Sequence, residues 1–125
     1  MKQQDWSVRD KPYDLRERLL LYACLIVRLS QFLQTRGSTA AALSHQILKC
    51  GTSAGANYEE ADDGSSSRDK LSKRKIVLRE LKESAFRLKV LRRSGILTEA
   101  HDPVIAETDE LVKILATLIR KSENG

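Results

Sequence analysis

The chain has 125 residues, 41% of them hydrophobic and only 5% aromatic, which indicates one domain with an aliphatic core and favours helices over a β-sandwich. A net charge of +5 is compatible with a nucleic acid, an acidic protein or an anionic surface as partner and does not choose among them. The two cysteines lack the Cys and His spacings of zinc sites, so we expect no metal and no cofactor.

Residues 1–13 are mainly polar and are predicted to form a flexible N-terminal arm, with the alternative that Trp6 packs on the rest of the protein. The arm lacks the apolar core of a signal peptide. No apolar run in the chain approaches the ~20 residues of a membrane-spanning helix. We therefore expect a cytoplasmic protein without a membrane partner, in which Cys24 and Cys50 are reduced and buried as small hydrophobic residues.

The first predicted helix covers residues 14–35, and Asp14 is expected to cap its start. Its apolar residues recur at spacings of three and four, which places them on one face. They are Leu15, Leu19, Tyr22, Ile26, Leu29 and Leu33. A second apolar line of Leu21, Leu25 and Phe32 runs beside the first, which indicates a broad buried face with a subunit contact as one explanation.

The second predicted helix covers residues 39–63 and contains Gly51 and Gly55 in its interior. Each glycine costs about 1 kcal/mol relative to alanine in such a position. We interpret the small residues around them as a tight helix–helix crossing. A glycine-rich phosphate-binding loop is the more specific alternative, but the segment lacks the preceding strand and the following Lys-Ser/Thr of such loops.

Two further helices are predicted over residues 67–94 and 102–121. Ser66 and Asp69 form a capping pair at the start of the third helix. Asp102-Pro103 opens the fourth, with the acid at the cap and proline in the first turn.

The predicted fold is an all-α, antiparallel up-down four-helix bundle. Four helices joined by short connections adopt this arrangement by default, because consecutive helices then pack side by side. The bundle is expected to span residues 14–122, with a C-terminal tail at residues 123–125.

The third helix carries most of the positive charge. Between Arg68 and Arg93 there are eleven basic and three acidic residues, a net charge of +8, while the rest of the chain sums to −3. Helical spacing places one stripe on a single side: Lys75, Arg79, Lys82, Lys89 and Arg93, with Phe86 in the same line. Such a stripe suits a phosphate backbone. The alternatives are a solvated face, or one neutralised by acids of a neighbouring subunit, such as Glu59, Glu60, Asp62 and Asp63.

Signals of enzyme activity are weak, and we expect no catalytic residues. His45 and His101 stand alone and are better explained as surface or capping residues. Ser53, His45 and Asp63 could be imagined as a triad, but no nucleophile elbow supports it.

Segments of three helices resemble the bacterial four-helix bundle protein family, first noticed as reading frames in intervening sequences of large-subunit ribosomal RNA genes. The matching segments are Gln46–Ala61 (QILKCGTSAGANYEEA), Ile76–Glu83 with Phe86 and Leu88, and Glu107, Glu110, Leu111 and Ile114. The chain departs from the family pattern at Lys70, where an aromatic is usual, and at Arg87, where Trp is usual.

The resemblance implies a homopentameric barrel of four-helix bundles and no settled activity. It also implies a likeness in fold to the accessory variability protein of diversity-generating retroelements, a basic pentamer that binds nucleic acid and a reverse transcriptase. Under the resemblance, Asn57 and Tyr58 become packing or subunit-interface groups, together with Gly51 and Gly55.

Two functions follow as hypotheses. The first is a non-enzymatic oligomer that binds RNA or DNA through phosphate contacts. Its predicted contacts are Lys73, Lys75, Arg79, Lys82, Lys89, Arg92 and Arg93. The second is a structural or adaptor oligomer whose basic face docks an acidic protein partner.

Overall fold

The computed structural model describes residues 5–8, 10–64 and 66–124, and within them the chain forms four α-helices and no strand. The helices are α1 (Leu15–Gln34), α2 (Ser38–Asp62), α3 (Ser67–Arg93) and α4 (Asp102–Asn124), with a short 3₁₀ turn at Glu99–His101. The all-α prediction is confirmed. Each helix boundary lies within one residue of its predicted position except the end of α4, which continues into the predicted tail as far as Asn124.

Two of the three predicted caps have the expected geometry. The side chain of Asp14 accepts a hydrogen bond from the Arg16 N–H at 3.1 Å, and Ser66 Oγ accepts one from the Asp69 N–H at 3.1 Å. The fourth helix starts differently. His101 Nδ1 accepts a hydrogen bond from the Thr98 N–H at 3.0 Å, so a 3₁₀ turn forms ahead of the helix and moves the capping role away from Asp102.

Consecutive helices pack against each other in antiparallel order. Ion pairs join the start of one helix to the end of its neighbour: Arg16–Asp62, Lys73–Glu60 and Arg92–Asp102. The core between the helices is aliphatic, as the composition predicts, with Tyr22 as its largest fully buried side chain.

Gly51 lies at a close contact between α1 and α2. A Cβ atom at this position would come within 2.8 Å of both Cγ atoms of the fully buried Ile26, so any larger residue would displace the core. At Gly55 the nearest atom to such a Cβ would be Leu19 Cβ at 3.6 Å, which is an ordinary contact. The tight part of the helix crossing is therefore at Gly51.

Part of the N-terminal segment packs on the bundle, in agreement with the alternative predicted for Trp6, while Tyr13 is fully exposed. Trp6 is 7% exposed, and its ring centroid is 5.9 Å from that of Phe32 and 5.1 Å from that of His101. Val8 is buried and lines a cavity with Leu25. This segment covers part of the second apolar line of α1, which therefore needs no subunit contact to explain it. Residues 1–4 and Arg9 lie outside the described residues.

An ionic cluster, buried at Arg18 and Glu107 and exposed at Lys11 and Glu110, joins α1, α4 and the N-terminal segment. Arg18 donates hydrogen bonds from Nε and Nη2 to the two carboxylate oxygens of buried Glu107, at 2.9 and 2.7 Å. Lys11 and Arg18 both pair with Glu110, and the hydrogen bond from Lys11, followed by that from Arg18, lowers the pKa of Glu110 to about 2. Charge pairing therefore holds the N-terminal segment along the α1–α4 seam.

The two cysteines differ in burial, contrary to the prediction that both are buried. Cys50 lies inside the bundle, and burial raises the pKa of its thiol. Cys24 is exposed, because its side of α1 turns away from the helical core toward a cavity under the N-terminal segment.

Candidate nucleic-acid interface

The solvent side of α3 carries an unbroken line of exposed side chains. Val77, Leu81 and Leu88 are fully buried on the core side of the helix. Residues at spacings of three and four on the opposite side all face solvent. We call this line the α3 ridge: Arg79, Lys82, Phe86, Val90 and Arg93. It extends for about 21 Å along the helix axis, at 1.5 Å per residue.

Four of the seven predicted contacts are paired with acids of the same chain. The shortest distances from the basic nitrogen to the carboxylate oxygen are between 2.7 and 3.2 Å. The pairs are Lys73–Glu60, Lys75–Glu123, Lys89–Asp109 and Arg92–Asp102. Exposed pairs of this kind add little stability, but each places a negative charge beside a cation and makes it a weaker phosphate ligand.

The other three, Arg79, Lys82 and Arg93, have no acidic partner within ion-pair distance among the residues described. The nearby acids Glu80 and Glu83 of α3 each accept a hydrogen bond from α2, although Glu83 stays exposed and lines the same depression as Arg79 and Lys82. Asn57 Nδ2 donates to Glu80 Oε1 at 2.5 Å, and the thiol of Cys50 donates to Glu83 Oε2 at 3.3 Å. The structure thus divides the predicted contacts into a neutralised set and an unneutralised set, and the unneutralised cations all lie on the α3 ridge.

Phe86 is the hydrophobic centre of the ridge. Its side chain is 69% exposed, and Val90, one turn further, is 39% exposed. Phe86 lines a shallow depression of about 310 Å³ with Arg79, Lys82 and their neighbours Glu83 and Arg87. The sequence analysis places Phe86 in the stripe but does not predict that it contacts the nucleic acid. It does not include Val90 in the stripe. The helical spacing of both residues from Lys82 and Arg93 was the signal that could have found them.

The four residues predicted for an interface or close packing lie in different environments. Gly51 and Tyr58 are buried, and burial is the main cause that raises the pKa of Tyr58. Asn57 bridges α2 to α3 through Glu80. Gly55 is half-buried and lines a groove at the outer junction of α1 and α2.

A second exposed apolar feature runs along α1 beside that groove. Leu20 is 52% exposed and Val27 is 39% exposed, with half-buried Ala23 between them. The α2 side of the groove is lined by the small residues Thr52, Gly55 and Ala56, with Glu59 at one end. We call Leu20, Ala23 and Val27 the α1 strip. A helix of another molecule could approach closely here, because small side chains leave the backbone accessible.

The two histidines occupy different environments. His45 is exposed on α2, whereas His101 is buried between the rings of Trp6 and Phe32, and this burial lowers its pKa.

Within residues 5–8, 10–64 and 66–124 no three His, Cys, Asp or Glu side chains come together as a metal site would require. None of the described helices is long and apolar enough to cross a membrane.

Comparisons with known proteins agree on one family. The family model described as "23S rRNA-intervening sequence protein" matches residues 15–117. A crystal structure at 1.70 Å of a protein of unknown function, from the S23 ribosomal protein family of Bacteroides thetaiotaomicron VPI-5482, is 31% identical in sequence and superposes with a TM-score of 0.78. The match covers 85% of this chain and 98% of that one. No curated protein matches the chain.

Proposed function

This chain belongs to the 23S rRNA-intervening sequence protein family, and we propose that it is a non-enzymatic, cytoplasmic oligomer that binds nucleic acid through the α3 ridge. The observation that carries the proposal is the line of three exposed cations, Arg79, Lys82 and Arg93, which lack acidic partners among the described residues. The family description refers to ribosomal RNA and the solved relative is classed with a ribosomal protein family, and both are compatible with RNA or DNA as the partner.

Phosphate contact is the chemistry that this surface supports. An arginine presents several N–H donors in one plane and can bind two phosphate oxygens at once, while lysine supplies a compact positive charge. Each phosphate that is neutralised releases condensed counterions, and this release drives binding without selecting a sequence. Three such contacts on one protomer give weak binding, so the function needs several ridges acting together.

The oligomer that we propose is the homopentamer implied by the family resemblance, and the α1 strip is its candidate contact. Leu20 and Val27 together with the small residues of α2 offer an apolar surface that a second copy of this chain would cover. Repetition of the ridge around a ring turns weak contacts into avidity gains of roughly 10²- to 10⁴-fold. The strip and the ridge lie on different helices, so assembly through the strip leaves the ridge accessible.

A salt titration of the wild-type protein tests the proposal. We expect binding to a fluorescent oligouridine at low salt, with the logarithm of the binding constant falling linearly as the logarithm of salt concentration rises. Each phosphate contacted contributes a slope of about −0.7 on a single strand. An absence of binding at low salt, or binding insensitive to salt, would contradict the phosphate mechanism. Co-purification of an acidic protein that survives nuclease treatment would favour the adaptor hypothesis instead.

A further inference from the structure

Phe86 stands in the middle of the α3 ridge with its ring open to solvent. It is 69% exposed, and among the described residues its ring stacks on no other aromatic side chain, whereas Trp6, Phe32 and His101 form the one ring cluster there. A single exposed apolar residue is ordinary on a protein surface. Here the position is unusual because unneutralised cations lie on the same line on both sides of it, Lys82 before it and Arg93 beyond Val90.

The spacing around Phe86 fits a base with phosphates on both sides. Lys82 lies one turn before Phe86, about 6 Å along the axis, and Arg93 lies two turns after it, about 10 Å along the axis. Val90 lies between Phe86 and Arg93 and extends the apolar surface. The order along the helix is therefore cation, aromatic ring, aliphatic side chain, cation.

Surfaces that bind single strands combine a basic track with aromatic rings on which unpaired bases stack. A duplex offers no free base face to such a ring, and the deep, narrow major groove of A-form RNA keeps side chains from the bases. From this geometry we infer that the α3 ridge selects unpaired nucleotides, with the ring of Phe86 stacked on one base and Lys82 and Arg93 bound to the phosphates beside it. This inference rests on the proposed function, since it names the substrate class of the same surface.

The test compares a short oligouridine with an oligoadenylate–oligouridine duplex of equal length, at one fixed salt concentration. We expect the wild-type protein to prefer the single strand. Phe86→Leu keeps an apolar side chain but removes the ring, and it should weaken binding of the single strand roughly tenfold, within the range measured for loss of one stacked base. Duplex binding should stay unchanged. Tyr13→Leu is the matched control, because it removes a fully exposed ring that lies outside the ridge, and it should leave the preference intact.

Phe86→Trp supplies a second readout. A stacked indole should retain single-strand binding. Oligouridine should quench the fluorescence of this variant more than that of the wild-type protein, because the tryptophan of the wild-type protein, Trp6, is buried. Equal binding of both probes with no effect of Phe86→Leu would overturn the inference and leave the proposed function standing. A change of oligomer mass in Phe86→Leu without nucleic acid would also overturn it, because Phe86 would then be a subunit contact. Failure to bind either probe would remove the proposed function itself.

Discussion

Replacing Arg79, Lys82 and Arg93 together with glutamine is expected to weaken binding of oligouridine by roughly a hundredfold, because each charge-assisted hydrogen bond to a phosphate contributes about 1 kcal/mol. The slope of the salt dependence should fall by about 2 for each ridge that the strand contacts, because three phosphates per ridge are no longer neutralised. Fluorescence anisotropy across a salt series measures both quantities. The free energy of unfolding should change by less than about 0.5 kcal/mol, since all three side chains are exposed.

A second triple variant removes the same charge from elsewhere on α3. Lys73, Lys75 and Lys89 are each paired with an acid of the same chain, so their replacement with glutamine should weaken binding much less. The comparison separates the α3 ridge from net charge, because both variants lose three positive charges. Equal reductions in affinity in the two variants would show that overall charge attracts the nucleic acid and that the cations of the α3 ridge contribute no more to binding than other cations of α3.

The double substitution Leu20→Glu and Val27→Glu is expected to dissociate the oligomer. It places two carboxylates on the α1 strip, where a second copy would have to desolvate them. Light scattering should then give a mass near 14.1 kDa, that of one chain, in place of a multiple of it. Nucleic-acid affinity should also fall by about a hundredfold with the ridge intact, because the avidity of the assembled ring disappears.

The control for this variant is Ala42→Glu with Gln46→Glu. Both positions are exposed on α2 outside the groove, so the same two negative charges are added without touching the α1 strip. Mass should stay unchanged and affinity should fall only slightly. A wild-type protein that is already monomeric at micromolar concentration would contradict the oligomer, and an unaltered mass in Leu20→Glu with Val27→Glu would exclude the strip as its interface.

Local patterns in the sequence predict the helices well, because each helix has an apolar period and two of them have clear start signals. Asp14 and Ser66 cap their helices by hydrogen bonds to residues two and three positions away, so short-range reasoning is sufficient there. The predicted cap of the fourth helix was wrong, because the turn before it depends on the ring nitrogen of His101. A histidine gives no local signal that distinguishes a buried capping role from an exposed one.

Contacts between distant segments were beyond sequence reasoning. The spacing in α3 predicts a stripe of cations, but it does not reveal that Glu123 of α4 neutralises Lys75 or that Asp109 neutralises Lys89. Composition also favours a flexible N-terminal arm, since only Trp6 and a few other residues there are apolar. The rings of Phe32 and His101, far apart in sequence, create the site that receives Trp6.

Ultraviolet cross-linking of the wild-type protein to oligouridine, followed by trypsin digestion and mass spectrometry, tests most directly whether the α3 ridge binds nucleic acid. Trypsin cleaves after Lys82 and Arg87, so Phe86 lies in the short peptide Glu83–Arg87. We expect the main cross-link on this peptide, and its disappearance at high salt. Cross-links confined to α1, α2 or α4, or none at a salt concentration where binding is observed, would contradict the assignment of the α3 ridge as the nucleic-acid interface.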